Sequence, residues 1–160
     1  MKAIVTLESL KEAIACYFNE PEDTQRLQAL LPPEGLPVTA ASVELARAAG
    51  VPDQDIFWAL NYACPQVTNT HRRLVACACA RRALEAERVA GREPDPRSRI
   101  AVEASERFAR VEATDHELEE AWAAAAAAAA ASAASCANAA AAWRFAVDTF
   151  VKIINQEGTN

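Results

Sequence analysis

The stretch Ala121 to Ala142, AWAAAAAAAAASAASCANAAAA, decides the class of this chain. It runs 22 residues without a charge and holds 17 of the protein's 39 alanines. Alanine is the strongest helix former and a poor strand former, so the class read from it is all-α. The segment just upstream, Thr114-Asp115-His116-Glu117, has the spacing of a capping box and predicts a helix start there. That last helix is expected to continue to about Asn155. Past the alanines, Trp143, Val147, Phe150, Val151 and Ile154 restore an amphipathic stripe of ordinary size. The uncharged run is long enough to span a bilayer. It is nearly all alanine, with Ser132, Ser135 and Asn138 inside, so its transfer energy is weak and no membrane span is expected.

The same count corrects the composition. The chain has 160 residues and a hydrophobic fraction of 52%, but removing alanine leaves only 44 apolar side chains able to fill a core. A helix of small side chains lets neighbours approach closely. The expected architecture is therefore a single helical domain over 1–160. It is a compact bundle of six to seven helices packed around the long alanine-rich C-terminal helix, with residues 1–50 as N-terminal helices and 51–157 as the helical core.

Working outward, Thr6 predicts the N-cap of a first helix reaching about Phe18, and Thr39 predicts the cap of another that closes at Gly50. Pro32-Pro33-Glu34-Gly35-Leu36-Pro37 reads as a stiff turn. After Pro52 a helix is expected with Ile56, Phe57, Leu60 and Tyr62 inward. A longer helix runs from about Asn69 to Gly91, with Leu74, Cys77 or Ala78, Arg81 and Leu84 sharing a face. Asp95 and Pro96 predict the N-cap and first position of the next, carrying Ile100, Ala104, Phe108 and Val111 on one side. Arg99–Glu103, Glu103–Arg107 and Glu106–Arg110 stand at i,i+4 on the other.

The formal charge of −6 is uneven: residues 1–60 carry net −5, residues 61–110 net +4 and residues 111–160 net −5. The acidic ends nominate Glu8, Glu12, Glu20, Glu22, Asp23, Asp53 and Asp55 as residues facing a basic partner. In the basic middle, Arg73, Arg81, Arg97, Arg99 and Glu103 read as an internal Arg/Glu cluster, with Glu103 the expected carboxylate for an inward Arg81. A surface for an acidic partner is the other reading of those arginines.

Motifs for chemistry are few. Val43 to Leu60, with Ala46-x-x-x-Gly50-Val51, has helix-turn-helix spacing, yet Asp53 to Asn61 offers no Lys or Arg to a phosphate backbone. Direct nucleic-acid binding is therefore not expected, although a DNA-binding regulator stays as an alternative. Cys77 and Cys79, two residues apart on a helix, point about 200° apart and cannot share a metal ion. Neither a nucleophile elbow, a phosphate-cradling glycine loop nor a paired-histidine zinc motif occurs, so the chain reads as a non-enzyme without cofactor or metal. Five cysteines without framework spacing, and an acidic stretch from Glu8 that interrupts any secretory core, point to the cytoplasm.

Residues about 50–142 carry a further pattern. It comprises Arg73-Leu74-Val75-Ala76-Cys77-Ala78-Cys79-Ala80-Arg81-Arg82, then Asp95-Pro96-Arg97-Ser98-Arg99-Ile100-Ala101-Val102-Glu103, then Glu106-Arg107-Phe108-Ala109. The Ala113-Thr114-Asp115 cap and the alanine run complete it. This resembles a group of alanine-rich bacterial and phage proteins, some of which are classed as immunity proteins of polymorphic toxin systems. The resemblance implies a protein-binding inhibitor of a toxin or nuclease. A phage-encoded anti-defence inhibitor of the anti-CRISPR kind, blocking a nucleic-acid-binding effector, is the alternative. A homodimer through the alanine face is also open.

Overall fold

The computed structural model describes residues 3–13, 25, 29, 31–119 and 139–157. Among these the class is all-α: α1 (Leu7–Ala13), α2 (Ala40–Ala48), α3 (Asp53–Tyr62), α4 (Asn69–Val89), α5 (Pro96–Ala109) and α6 (Ala139–Glu157). The one departure is a two-residue antiparallel pair, β1 (Ile4–Val5) with β2 (Leu36–Pro37), in register Ile4↔Pro37 and Val5↔Leu36. Contacts divide the chain into two units, Met1–Thr68 with Trp143–Asn160, and Asn69–Ala142. Most of the alanine run, and with it the expected alanine-lined centre, lies outside the described residues.

In the first unit the helix starts follow the caps. The Thr6 hydroxyl accepts from the Ser9 N–H at 3.1 Å, and the Ser9 hydroxyl accepts from the Thr6 N–H at 3.0 Å. Thr39 and Ser42 repeat this at 3.1 and 2.9 Å, with serine doing the work glutamate usually does in a capping box. Gly35 ends the Pro-rich turn at φ +85°, where a Cβ would lie 2.6 Å from the Ile4 side chain, so β1 can close onto β2 only over glycine. Gly50 at φ +82° closes α2: its N–H reaches the Arg47 carbonyl at 2.9 Å and the Val51 N–H reaches Ala46 at 3.0 Å, a Schellman motif.

The core of this unit is the stripe expected from α6. Val147 and Phe150 are fully buried, with Ala146, Val151 and Ile154 beside them and Leu10, Val43, Ile56 and Leu60 buried on the other helices. Phe57 and Phe150 meet edge to face at 5.6 Å between ring centroids, and Phe57 meets Trp143 at 5.3 Å. Tyr62 is not inward as its position suggested. It is 52% exposed, because Ile56 and Leu60 already fix the buried side of α3 and Tyr62 falls opposite them.

In the second unit α4 and α5 pack against each other. Asp95 caps α5, accepting from the Arg97 N–H at 2.8 Å, with Pro96 in the first turn. Gly91 closes α4 as Gly50 closes α2. The Thr114–Glu117 box forms, with the Thr114 N–H on the Glu117 carboxylate at 2.9 Å, and residues 115–119 are helical.

The buried side of α5 differs from the expected one. It runs through Ala101, Ala104, Ser105 and Ala109, while Ile100 is 55% and Val111 92% exposed. Small residues line most of the buried side of α5, with Phe108 half-buried among them, and Ile100 and Val111 fall outside it. Val111 moreover occupies the left-handed position of a third Schellman turn at φ +62°: its N–H bonds Phe108 at 3.0 Å, and the Glu112 N–H bonds Arg107 at 2.8 Å. A β-branched side chain is strained there by about 1–2 kcal/mol. Val111→Gly should therefore raise stability by about 0.5–1 kcal/mol after the entropy glycine adds to the unfolded chain. Thermal unfolding checks this, and a lower melting temperature would remove the strain argument.

Candidate functional site

The nominated acidic residues divide into three groups. Glu8 and Glu12 stand one turn apart on α1, both exposed, with no ion pair among the described residues. Glu20, Glu22 and Asp23 lie outside the described residues. Asp53 and Asp55 open α3, where negative charge suits the helix dipole, but they are not free surface charges. Asp55 is half-buried and already engaged. Asp53 is bound by Arg47, with Nε donating to its Oδ1 at 2.8 Å.

Arg47 is the residue that sequence reasoning passed over. Only 11% of its side chain is exposed, yet it gathers Glu44 from its own helix, Asp53 from α3 and Asp148 from α6. Its Nη2 lies 2.7 Å from Asp53 and 2.9 Å from Asp148, off the axes of its N–H bonds, so charge rather than directed hydrogen bonding holds that corner. Burial opposes the cation, but the hydrogen bonds to Asp53 and Glu44 and the charge of Asp148 outweigh it, and the guanidinium is held more firmly protonated than usual. Arg144 reaches the same Glu44 at 3.5 Å. No local signal marks Arg47, since an arginine in the last turn of a helix is ordinary.

The expected Arg/Glu cluster resolves into separate pairs. Arg81 is 46% exposed rather than inward, and its fork closes on Glu106, not Glu103, at 2.6 and 2.7 Å. Glu106 borders the buried arc of α5, whereas Glu103 sits farther round toward solvent, so helix rotation selects between them. The hydrogen bond from Arg81 holds the Glu106 carboxyl below its usual range. Arg73 lies over the Phe108 ring at 4.4 Å, a cation–π contact. Arg97 clamps Asp95, and its side-chain and backbone hydrogen bonds bring that carboxyl down to about 2. Arg99 and Glu103 are exposed and make no ion pair among the described residues. None of the three i,i+4 pairs expected on α5 forms: Glu106 turns to Arg81, and Arg107 to Glu117 at 2.8 Å. The Thr114 backbone N–H, then Arg107, lowers the Glu117 carboxyl to about 2.

Opposite the buried side of α3 stand two aromatic side chains. Trp58 and Tyr62, one turn apart, stack with centroids 4.9 Å apart and planes at 16°. Their i,i+4 spacing was legible; that they fall opposite Ile56 and Leu60 required the helix phase. Cys77 is buried and Cys79 half-buried on α4, and burial pushes both thiols above their ordinary value, which lowers their reactivity. Cys16 and Cys136 lie outside the described residues. Among the described residues no three His, Cys, Asp or Glu side chains converge as a metal site, and no helix is long and apolar enough to cross a membrane. Set against protein-family models, curated proteins and solved structures, the chain matches none.

Proposed function

We propose that this chain is a non-catalytic, protein-binding inhibitor, acting in the cytoplasm in the manner of an immunity protein on a basic target such as a toxin or nuclease. The observation that carries the reading is where the charges go. Arg47, Arg81, Arg88, Arg92, Arg97 and Arg107 each hold a carboxylate of the same chain, and Arg73 sits on a ring. Glu8 and Glu12 are left exposed without an ion pair among the described residues, on a chain of net charge −6. Such a surface attracts a basic protein, speeds encounter and disfavours nucleic acid. The resemblance of residues about 50–142 to alanine-rich immunity proteins leans the same way.

The test is affinity capture from nuclease-treated lysate of the native host, comparing the full chain with the Glu8→Lys/Glu12→Lys variant. One basic protein should co-purify with the parent, be released at about 0.5 M salt as screening shortens the reach of the charges, and be lost from the variant. Co-expression should suppress that protein's activity. Retention of nucleic acid in place of protein, in lysate left untreated, would sink the inhibitor reading and favour the helix-turn-helix one.

A further inference from the structure

The outward side of α3 is over-furnished for a solvent-facing helix. Ile56 and Leu60 are buried and Phe57 meets Trp143 and Phe150, so the helix has already met the needs of its own core. Trp58 and Tyr62, at two successive turns, fall on the other side of the helix. They also stack on each other at 4.9 Å with near-parallel planes, Trp58 half-buried and Tyr62 52% exposed. A rigid pair of this kind offers a large contact area and loses little entropy on binding, which is why Trp and Tyr dominate the energetics of protein interfaces.

The surroundings specify the chemistry of the occupant. The face of an aromatic ring carries negative potential, and α3 contains no Lys or Arg to cover it from within. Arg47, just ahead of α3, is held by three carboxylates. Helix α1 packs against α3 and brings the exposed Glu8 and Glu12 to the same unit. Exposed aromatic surface on an acidic unit suits a planar cation, and guanidinium stacks on aromatic rings where a compact, strongly hydrated ammonium does so less well.

We infer that Trp58 and Tyr62 form a cation-receiving patch that takes an arginine side chain presented by the basic surface of a partner protein. This rests on the inhibitor reading and locates its contact surface.

The test titrates the full chain with octa-arginine and with octa-lysine at about 50 mM salt, where charge is only partly screened. Indole N–H resonances are followed, with Trp58 assigned through Trp58→Phe. Octa-arginine should move the Trp58 signal and bind about fivefold more tightly than octa-lysine, the margin a single cation–π contact supplies. Tyr62→Ala should weaken octa-arginine about fivefold and leave octa-lysine unchanged, while Tyr62→Phe keeps the preference. Tyr62 is exposed, so circular dichroism should show both variants folded. Equal affinity for the two peptides, or a Tyr62→Ala variant that binds octa-arginine as the parent does, would overturn the patch. So would a concentration-dependent dimer that Tyr62→Ala dissolves, since a second copy would then be the occupant. The two levels separate cleanly. Host capture that survives Tyr62→Ala removes the patch and leaves the inhibitor reading; arginine-selective binding with no basic protein captured does the reverse.

Discussion

Phe150→Ala is expected to lower the stability of the first unit by about 3–5 kcal/mol, enough to take most of the stability of an ordinary small domain. Phe150 has no exposed surface, and its ring makes an edge-to-face contact with Phe57 at 5.6 Å. Truncation removes the transfer energy of the ring, opens a cavity next to the equally buried Val147, and takes away the ring contact. Partial collapse is hindered because Phe57 is also held against Trp143 at 5.3 Å. In urea the midpoint should fall by roughly 2 M, taking a slope of about 2 kcal/mol/M. Phe150→Leu, which keeps most of the volume, should cost far less, about 1–1.5 kcal/mol. Near-UV circular dichroism follows the transition through the aromatic cluster. A Phe150→Ala midpoint indistinguishable from the parent's would mean that α6 is not the core of this unit.

That core was legible in the sequence because its signal is local. Trp143, Val147, Phe150, Val151 and Ile154 recur at helical spacing, and each side chain is bulky enough to register as a stripe. The caps were legible for the same reason. Thr6, Thr39, Gly50, Asp95–Pro96 and Thr114–Glu117 act within four residues of themselves, and each does in the structure what its residue type dictates. The two-residue pairing of β1 with β2 left no trace, being too short for alternation to show and depending on Gly35 meeting Ile4 across the chain.

The misreadings share one cause. The expected side of α5 holds at Ala104, but it also put Ile100 and Val111 inward, where the structure instead buries Ala101, Ser105 and Ala109. Helices that meet through small residues hide their contact face from any count of bulk. The phase of α5 likewise gave Arg81 the partner Glu106 in place of Glu103, and on α3 the phase set by Ile56 and Leu60 turned Tyr62 outward. For the candidate site, residue types could nominate acidic positions but not tell a free carboxylate from a held one. Glu12 and Asp53 look alike in sequence; only the fold brings Arg47 to one of them.

Arg47 therefore carries the second large prediction. Arg47→Met keeps much of the apolar stem but leaves Asp53, with 19% of its side chain exposed, beside Asp148 without a cation. Removing one partner of a largely buried pair strands the other charge, and the expected loss is about 3 kcal/mol. Arg47→Lys should lose about 1–2 kcal/mol, since one ammonium cannot serve three carboxylates arranged for a planar fork. The informative variant is the double one. Arg47→Met with Asp53→Asn removes both the cation and the charge it would strand, and should recover more than half of the single loss, because a buried pair contributes little net stability when both members go together. Glu44 and Asp148 are each more than half exposed and should matter little alone, within about 0.5 kcal/mol, as water already screens them. Denaturant titration of the four variants closes the cycle. Additive losses for Arg47→Met and Asp53→Asn would show that the guanidinium stabilises this unit through its packed stem alone, and that its carboxylates are bystanders to the join of α2, α3 and α6.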